Sequence, residues 1–121
     1  MVKKTTDIPE KRRARRLKVG LPVTFHQISA SKRFGETITK DISMTGLRMD
    51  TDSFFQPNSN IIIKLRFPEV NKVIEVVAKV VWSQTAPRSD QFQTGVEFSE
   101  INPMFKKWLE EYILINITMG R

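Results

Sequence analysis

The sequence contains no cysteine, only one histidine and no long apolar run. Without cysteine, the chain can form neither a disulfide nor a thiolate metal site, and it has no thiol nucleophile. Its longest apolar stretches, such as residues 61–63 and 80–82, are far shorter than the roughly 20 residues of a membrane helix. No apolar segment follows the basic start, as one would in a signal peptide. We therefore expect a cytoplasmic protein without a membrane span.

Glycine and proline are also scarce, at 5 and 6 of 121 residues, which is unlike disordered or collagen-like chains. This length suits a single domain. The net charge is +7, yet the first twenty residues carry eight cations and only two acids, so that +6 of it lies there. Because the remaining chain is almost neutral, the basic N-terminal arm is the candidate anion-binding element.

Residues 1–18 show no regular apolar spacing, so regular structure is expected to begin near Val19. We place a flexible leader at residues 1–10, one domain at residues 11–117 and a tail at residues 118–121. Six segments within the domain have the alternation or apolar content of short strands, and turn residues separate them. They are residues 21–28, 34–42, 47–51, 61–67, 73–82 and 92–98.

The end of the chain has a different period. Asn102 can cap a helix that starts at Pro103, and the apolar residues that follow recur at helical spacing. They are Phe105, Trp108, Leu109, Tyr112 and Ile113. The predicted fold is therefore all-β: a six-stranded antiparallel β-barrel with a C-terminal α-helix and a flexible basic N-terminal arm. The large aromatic residues, Trp82 among them, are interpreted as core.

Residues suited to catalysis are few. The alternation places the only histidine, His26, on the solvent side of its strand, without a nucleophile partner. Asp50 and Asp52 share a strand face but have no plausible metal companion, and no phosphate-binding glycine loop is present. We predict no catalytic residues, no metal and no cofactor.

The basic arm contains the run Lys11-Arg12-Arg13-Ala14-Arg15-Arg16. Guanidinium groups bind phosphate oxygens, pair with the O6 and N7 edge of guanine, or stack on a base. Taken alone, this run fits a solvated tail, a nonspecific nucleic-acid contact or a specific site.

A second motif, Asp41-Ile42-Ser43-Met44-Thr45-Gly46, joins the second and third predicted strands. A carboxylate can accept hydrogen bonds from the N1 and N2 donors of guanine, a serine hydroxyl adds one more bond, and glycine permits a sharp turn. Taken alone, however, the motif fits an ordinary hairpin turn better than a ligand site.

In this order, the RxxxR spacing of Arg12 and Arg16 and the DxSxxG spacing of Asp41, Ser43 and Gly46 resemble the PilZ family. Members of that family are six-stranded barrels that bind the bacterial second messenger cyclic di-GMP. Further segments add to the resemblance, which runs from about residue 10 to residue 115. They are residues 21–23, 78–82, 95–98 and 112–113.

The resemblance implies a ligand site made by Arg12, Arg13, Arg16, Asp41, Ser43 and Gly46. Arg15 permits an alternative frame in which Lys11 and Arg15 pair, although the apolar Leu17 after Arg16 favours the first frame. Leu47 stands where many relatives have a second glycine, which we expect to affect turn geometry more than ligand contacts.

The function implied is a noncatalytic cyclic di-GMP receptor or adaptor. Its arm would close over the ligand and alter a surface read by an unidentified protein partner, in motility, biofilm or exopolysaccharide control. The alternatives are a nucleic-acid-binding barrel, which is disfavoured, and a ligand-independent adaptor of flagellar or pilus machinery. Both a monomer and a ligand-linked homodimer remain open, as does the role of the apolar end around Ile115, Ile117 and Met119.

Overall fold

The computed structural model describes residues 15–28 and 34–118, which form a closed antiparallel barrel with an α-helix packed against it. The strands are β1 (Pro22–Gln27), β2 (Phe34–Ile42), β3 (Gly46–Thr51), β4 (Asn60–Phe67), β5 (Lys72–Thr85) and β6 (Phe92–Glu100), and the helix α1 is Pro103–Thr118. Around the barrel they lie in the order β1, β2, β3, β6, β5, β4, and β4 closes onto β1. The predicted fold class is thus confirmed. The predicted leader, residues 1–10, lies outside the described residues.

Alternating apolar side chains fill the inside of the barrel. In β4, for example, Ile61, Ile63 and Leu65 are fully buried, while Lys64 between them is exposed on the outer face. Corresponding residues of the other strands complete a continuous core. A small barrel with a filled interior has no room for a ligand inside. A binding site must therefore lie on the outer surface or at an end of the barrel.

A β-bulge in β2 changes which way its side chains point. Thr39 pairs with Met49 of β3, but the next registered pair is Asp41 with Arg48, which makes Lys40 the extra residue. Without the bulge, Thr39 and Asp41 would face the same side. With it, Thr39 points into the barrel, and Asp41 lies on the outer side opposite Arg48.

The segment before β1 is attached to β2 by backbone hydrogen bonds. The amide of Leu17 donates to Ile42 O at 2.8 Å, and the amide of Ile42 donates to Leu17 O at 3.0 Å. Further along, the Thr39 hydroxyl donates to Val19 O at 2.6 Å and accepts from the amide of Leu21 at 2.9 Å. Leu17 is only 1% exposed and belongs to the core. Ordered structure therefore begins earlier than the predicted start near Val19.

Helix α1 begins as predicted, because Asn102 Oδ1 accepts the amide of Met104 at 2.8 Å and so caps its N-terminus. Leu109 and Ile113 are buried against the barrel. Trp108 and Tyr112 stack on each other, and both meet the ring of Phe67 edge-on. The predicted apolar stripe is the packing face of the helix.

A second bulge, in β5, corrects the interpretation of Trp82. Val80 pairs with Val96 of β6, but the next pair is Trp82 with Gly95, so that Val81 is the extra residue. Trp82 was expected on the same face as Val80 and in the core. The bulge instead places it, half-buried, on the outer side, where its indole covers Gly95.

Candidate functional site

Asp41 is the centre of a charged cluster on the outer side of the barrel. Its Oδ1 accepts a hydrogen bond from Arg16 Nη1 at 3.0 Å. Its Oδ2 accepts from Arg48 Nε at 2.8 Å and lies 2.6 Å from Arg48 Nη2. The two guanidinium groups cover the carboxylate, whose side chain is only 4% exposed, against 44% for Arg16 and 36% for Arg48. A buried carboxylate thus lies beneath two cations that water and solutes can reach.

Backbone structure brings the members of this cluster together. The bridge between Leu17 and Ile42 buries Leu17, so its neighbour Arg16 points to the outer side. The bulge at Lys40 turns Asp41 to that same side, and Arg48 is its registered partner in β3. The two sequence motifs, 25 residues apart at Arg16 and Asp41, therefore meet in space.

Ser43 is fully buried and organises the turn between β2 and β3. Its hydroxyl accepts hydrogen bonds from the amides of Thr45 at 3.1 Å and Gly46 at 3.2 Å. The amide of Ser43 donates to Gly46 O at 2.8 Å. These bonds correspond to the hairpin-turn interpretation of the motif. A contact between this hydroxyl and a ligand stays a prediction.

Gly46 is required by the close approach of β6. A Cβ atom at this position would overlap the carbonyl oxygen of Val96, which is backbone and cannot rotate away. Gly46 pairs with Glu97, and Phe98 donates its amide to Thr45 O at 2.7 Å. The glycine thus lets the turn lie flat on β6, beside Asp41.

The other arginines are placed differently. Arg12, Arg13 and the alternative residue Lys11 lie outside the described residues. Arg15 is exposed and lines a small cavity beside Met44 and the helix residue Glu110. Of the two described arginines of the basic run, Arg16 bonds the carboxylate of the second motif, whereas Arg15 lies beside Met44. This contact corresponds to the frame in which Arg12 and Arg16 form the RxxxR pair.

Other acidic residues do not extend this cluster into a metal site. Asp50 lies 3.6 Å from Lys40 Nζ, as an ion pair beside the bulge. Within residues 15–28 and 34–118, no group of three or more histidine, aspartate or glutamate residues could hold a metal ion. In the same part of the chain, no helix has the length and apolar character needed to cross a membrane.

A comparison with protein-family models matches the PilZ domain over residues 10–114. The chain belongs to the PilZ domain family. No curated protein sequence matches it closely enough to serve as a relative.

Solved structures with the same fold have low sequence identity to this PilZ domain. The Bacillus subtilis inhibitor of motility, MotI/DgrA, is 23% identical with a TM-score of 0.80, over 91% of this chain and 53% of that one. The present chain therefore spans about half of that protein. The PilZ domain of YcgR from Escherichia coli, solved with c-di-GMP, is 13% identical with a TM-score of 0.67, over 92% and 95% of the two chains. PlzA from Borreliella burgdorferi, in complex with c-di-GMP, is 13% identical with a TM-score of 0.58, over 96% and 57%.

The PilZ barrel also places Arg48, which the sequence analysis did not single out, next to the second motif. Registered pairs join Asp41 of β2 to Arg48 of β3, Arg48 to Gly95 of β6, and Gly95 to Trp82 of β5. The outer surface thus carries a row across the strands: the carboxylate of Asp41, the guanidinium of Arg48, and Gly95, which the indole of Trp82 covers. In the sequence, Arg48 looks like any other polar residue on the outer face of a strand. Its contact with Asp41 depends on strand register, which only the pairing of β2 with β3 defines.

Proposed function

We propose that this PilZ domain is a noncatalytic cytoplasmic receptor for cyclic di-GMP. The observation that most directly supports this is the contact between Arg16 and Asp41, one residue from each motif, at a partly exposed position. Family membership adds support, as do the structures of YcgR and PlzA, both of which contain c-di-GMP. Because side chains fill the barrel interior, such a ligand would bind on the outer surface.

The residue chemistry suits both parts of the ligand. Arg12, Arg13 and Arg16 can bind its two phosphates and the O6 and N7 edges of its guanines. Asp41 can accept the N1 and N2 donors of one guanine, which no phosphate-binding cation can do. In this proposal Ser43 and Gly46 complete the ligand site, and they also fix the turn that follows Asp41.

Binding would change the surface that a partner protein reads. A ligand of charge about −2 attracts the basic arm, and fixing each residue costs about 1–2 kcal/mol of conformational entropy. Several charge-assisted hydrogen bonds are therefore needed for net binding. The described anchor at Leu17 ties the arm to β2, so a rearranged arm stays next to the site. We propose an adaptor role of this kind in motility, biofilm or exopolysaccharide control. The similarity in fold to the Bacillus subtilis inhibitor of motility supports motility among these three.

Titration calorimetry with cyclic di-GMP tests the proposal. Wild-type protein is expected to bind at micromolar concentration, and Arg12→Ala and Asp41→Ala are each expected to weaken binding roughly tenfold or more, because each removes charge-assisted bonds. Arg88→Ala is the matched control. This exposed arginine lies in the β5–β6 connection, at the opposite end of β3 from the β2–β3 turn, and should leave affinity unchanged.

Different outcomes distinguish the alternatives. A nucleic-acid-binding barrel would bind any single strand with a steep salt dependence and would gain affinity when Asp41 is removed. A ligand-independent adaptor would bind its protein partner equally well with and without the nucleotide. No detectable binding to micromolar wild-type protein, or equal affinity for wild type and both variants, would refute the receptor function.

A further inference from the structure

The two arginines on Asp41 occupy its two oxygens separately. Arg16 bonds Oδ1 through one nitrogen, whereas Arg48 approaches Oδ2 with both Nε and Nη2. With its side chain only 4% exposed, the carboxylate has no open face for a further donor. The donor edge of a nucleobase can therefore bind Asp41 only if one arginine leaves it.

The two arginines are held in different ways. Arg48 is in the middle of β3, whose backbone pairs with β2 on one side and β6 on the other. Arg16 directly precedes Leu17, which joins β2 through an isolated bridge. Arg16 also makes the single-nitrogen contact and is the more exposed of the two. Arg16 is therefore the one that can be released with the smaller structural change.

We infer that ligand binding exchanges the partners of Asp41, with Arg16 as the released partner and Arg48 as the permanent one. This inference rests on the proposed cyclic di-GMP function. The N1–H and N2–H donors of guanine replace Arg16 at Oδ1, and the freed guanidinium turns to a phosphate of the ligand. Arg48 stays on Oδ2 throughout, so the carboxylate is never buried without a cation.

Arg48 is accordingly a positioning residue, which acts through Asp41. A buried carboxylate that loses its last cation is strongly destabilised, because the charge has been removed from water without compensation. In a protein lacking Arg48, Arg16 would be that last cation, and releasing it to the ligand would be unfavourable. The loss of Arg48 should therefore weaken cyclic di-GMP binding even though Arg48 does not contact the ligand.

A double-mutant cycle measured by calorimetry tests this role. Arg48→Met is expected to weaken cyclic di-GMP binding at least tenfold, and Arg48→Lys, which keeps the charge, to recover part of the loss. In an Asp41→Asn background, Arg48→Met should change affinity less than threefold, because a neutral amide needs no counter-ion. Arg66→Met on β4 is the matched control, since this exposed strand arginine lies three strands from β3 around the barrel in either direction.

Side-chain NMR of the wild type tests the exchange without relying on a variant that fails to fold. In 15N-labelled protein, with signals assigned through Arg16→Lys and Arg48→Lys, the Nε–H signal of Arg48 should persist unchanged as cyclic di-GMP is added. The signals of Arg16 should shift. The inference would be overturned if the Arg48 signal disappeared on addition of cyclic di-GMP while the Arg16 signals did not shift. It would also be overturned if Arg48→Met bound cyclic di-GMP with wild-type affinity. If wild-type protein binds cyclic di-GMP and its affinity depends on Arg12 and Asp41, either of these results refutes only the exchange of partners at Asp41. If wild-type protein does not bind cyclic di-GMP, the proposed receptor function is refuted as well.

Discussion

At the scale of single residues, the second motif combines side chains with separate tasks. Asp41 accepts bonds from two cations, the Ser43 hydroxyl holds the turn, and Gly46 provides clearance under β6. The sequence, through the resemblance of its two motifs to one family, assigned Arg16 and Asp41 to a common ligand site. It did not predict Arg48, because the partner of an outer-face residue depends on the register of the neighbouring strand.

The clearance at Gly46 leads to a stability prediction. Gly46→Ala is expected to lower the free energy of unfolding by about 1–3 kcal/mol, because the added methyl group forces the backbones of β3 and β6 apart. Urea denaturation measures this change. Gly20→Ala is the control, since its methyl group would press on the side chain of Ile38, which is 58% exposed and can move, and would lie at an ordinary contact distance from Thr39 O. Equal stability of the two variants would contradict the structural role given to Gly46.

At the scale of elements, period-two alternation predicted the strands well but not their irregularities. All six predicted strands exist, and all of their boundaries agree within three residues. The extra residues Lys40 and Val81 carry no marker, because a bulge residue looks like any other strand residue in sequence. Yet the first bulge sets the outward direction of Asp41, and the second sets that of Trp82. The features that shape the site are thus the ones that alternation alone misses.

Helix α1 offers a prediction at the same scale, because two of its leucines differ in burial. Leu109 is fully buried against the barrel, whereas Leu114 is 43% exposed. Leu109→Ala is expected to destabilise the protein by about 2–5 kcal/mol through lost burial and a cavity. Leu114→Ala should change stability by no more than about 0.5 kcal/mol. Thermal or urea unfolding of both variants checks this, and similar losses would mean that the helix packs through another face.

At the scale of the whole molecule, charge and fold are segregated. Most of the net charge of +7 lies in the first twenty residues, and the barrel that follows is nearly neutral. Within the residues that the structure describes, the two parts meet where Leu17 joins the core and Arg16 covers Asp41. A ligand bound there contacts the charged arm and the cooperative core together. Its binding free energy should therefore contribute to the stability of the entire domain.

Thermal unfolding measures this linkage. A single closed barrel with one continuous core is expected to unfold in one cooperative step.

Free cyclic di-GMP at about 100 times Kd stabilises the folded state by about 2.7 kcal/mol, which raises the Tm of a domain of this size by roughly 10 °C. Asp41→Ala, with affinity weakened roughly tenfold or more, should lose about half of that rise or more at the same ligand concentration, while Arg88→Ala should keep it. The comparison uses each variant's own ligand-free Tm as reference, because removal of Asp41 also leaves Arg16 and Arg48 without their shared partner. An equal rise in both variants would mean that the ligand binds the barrel somewhere other than the surface around Asp41.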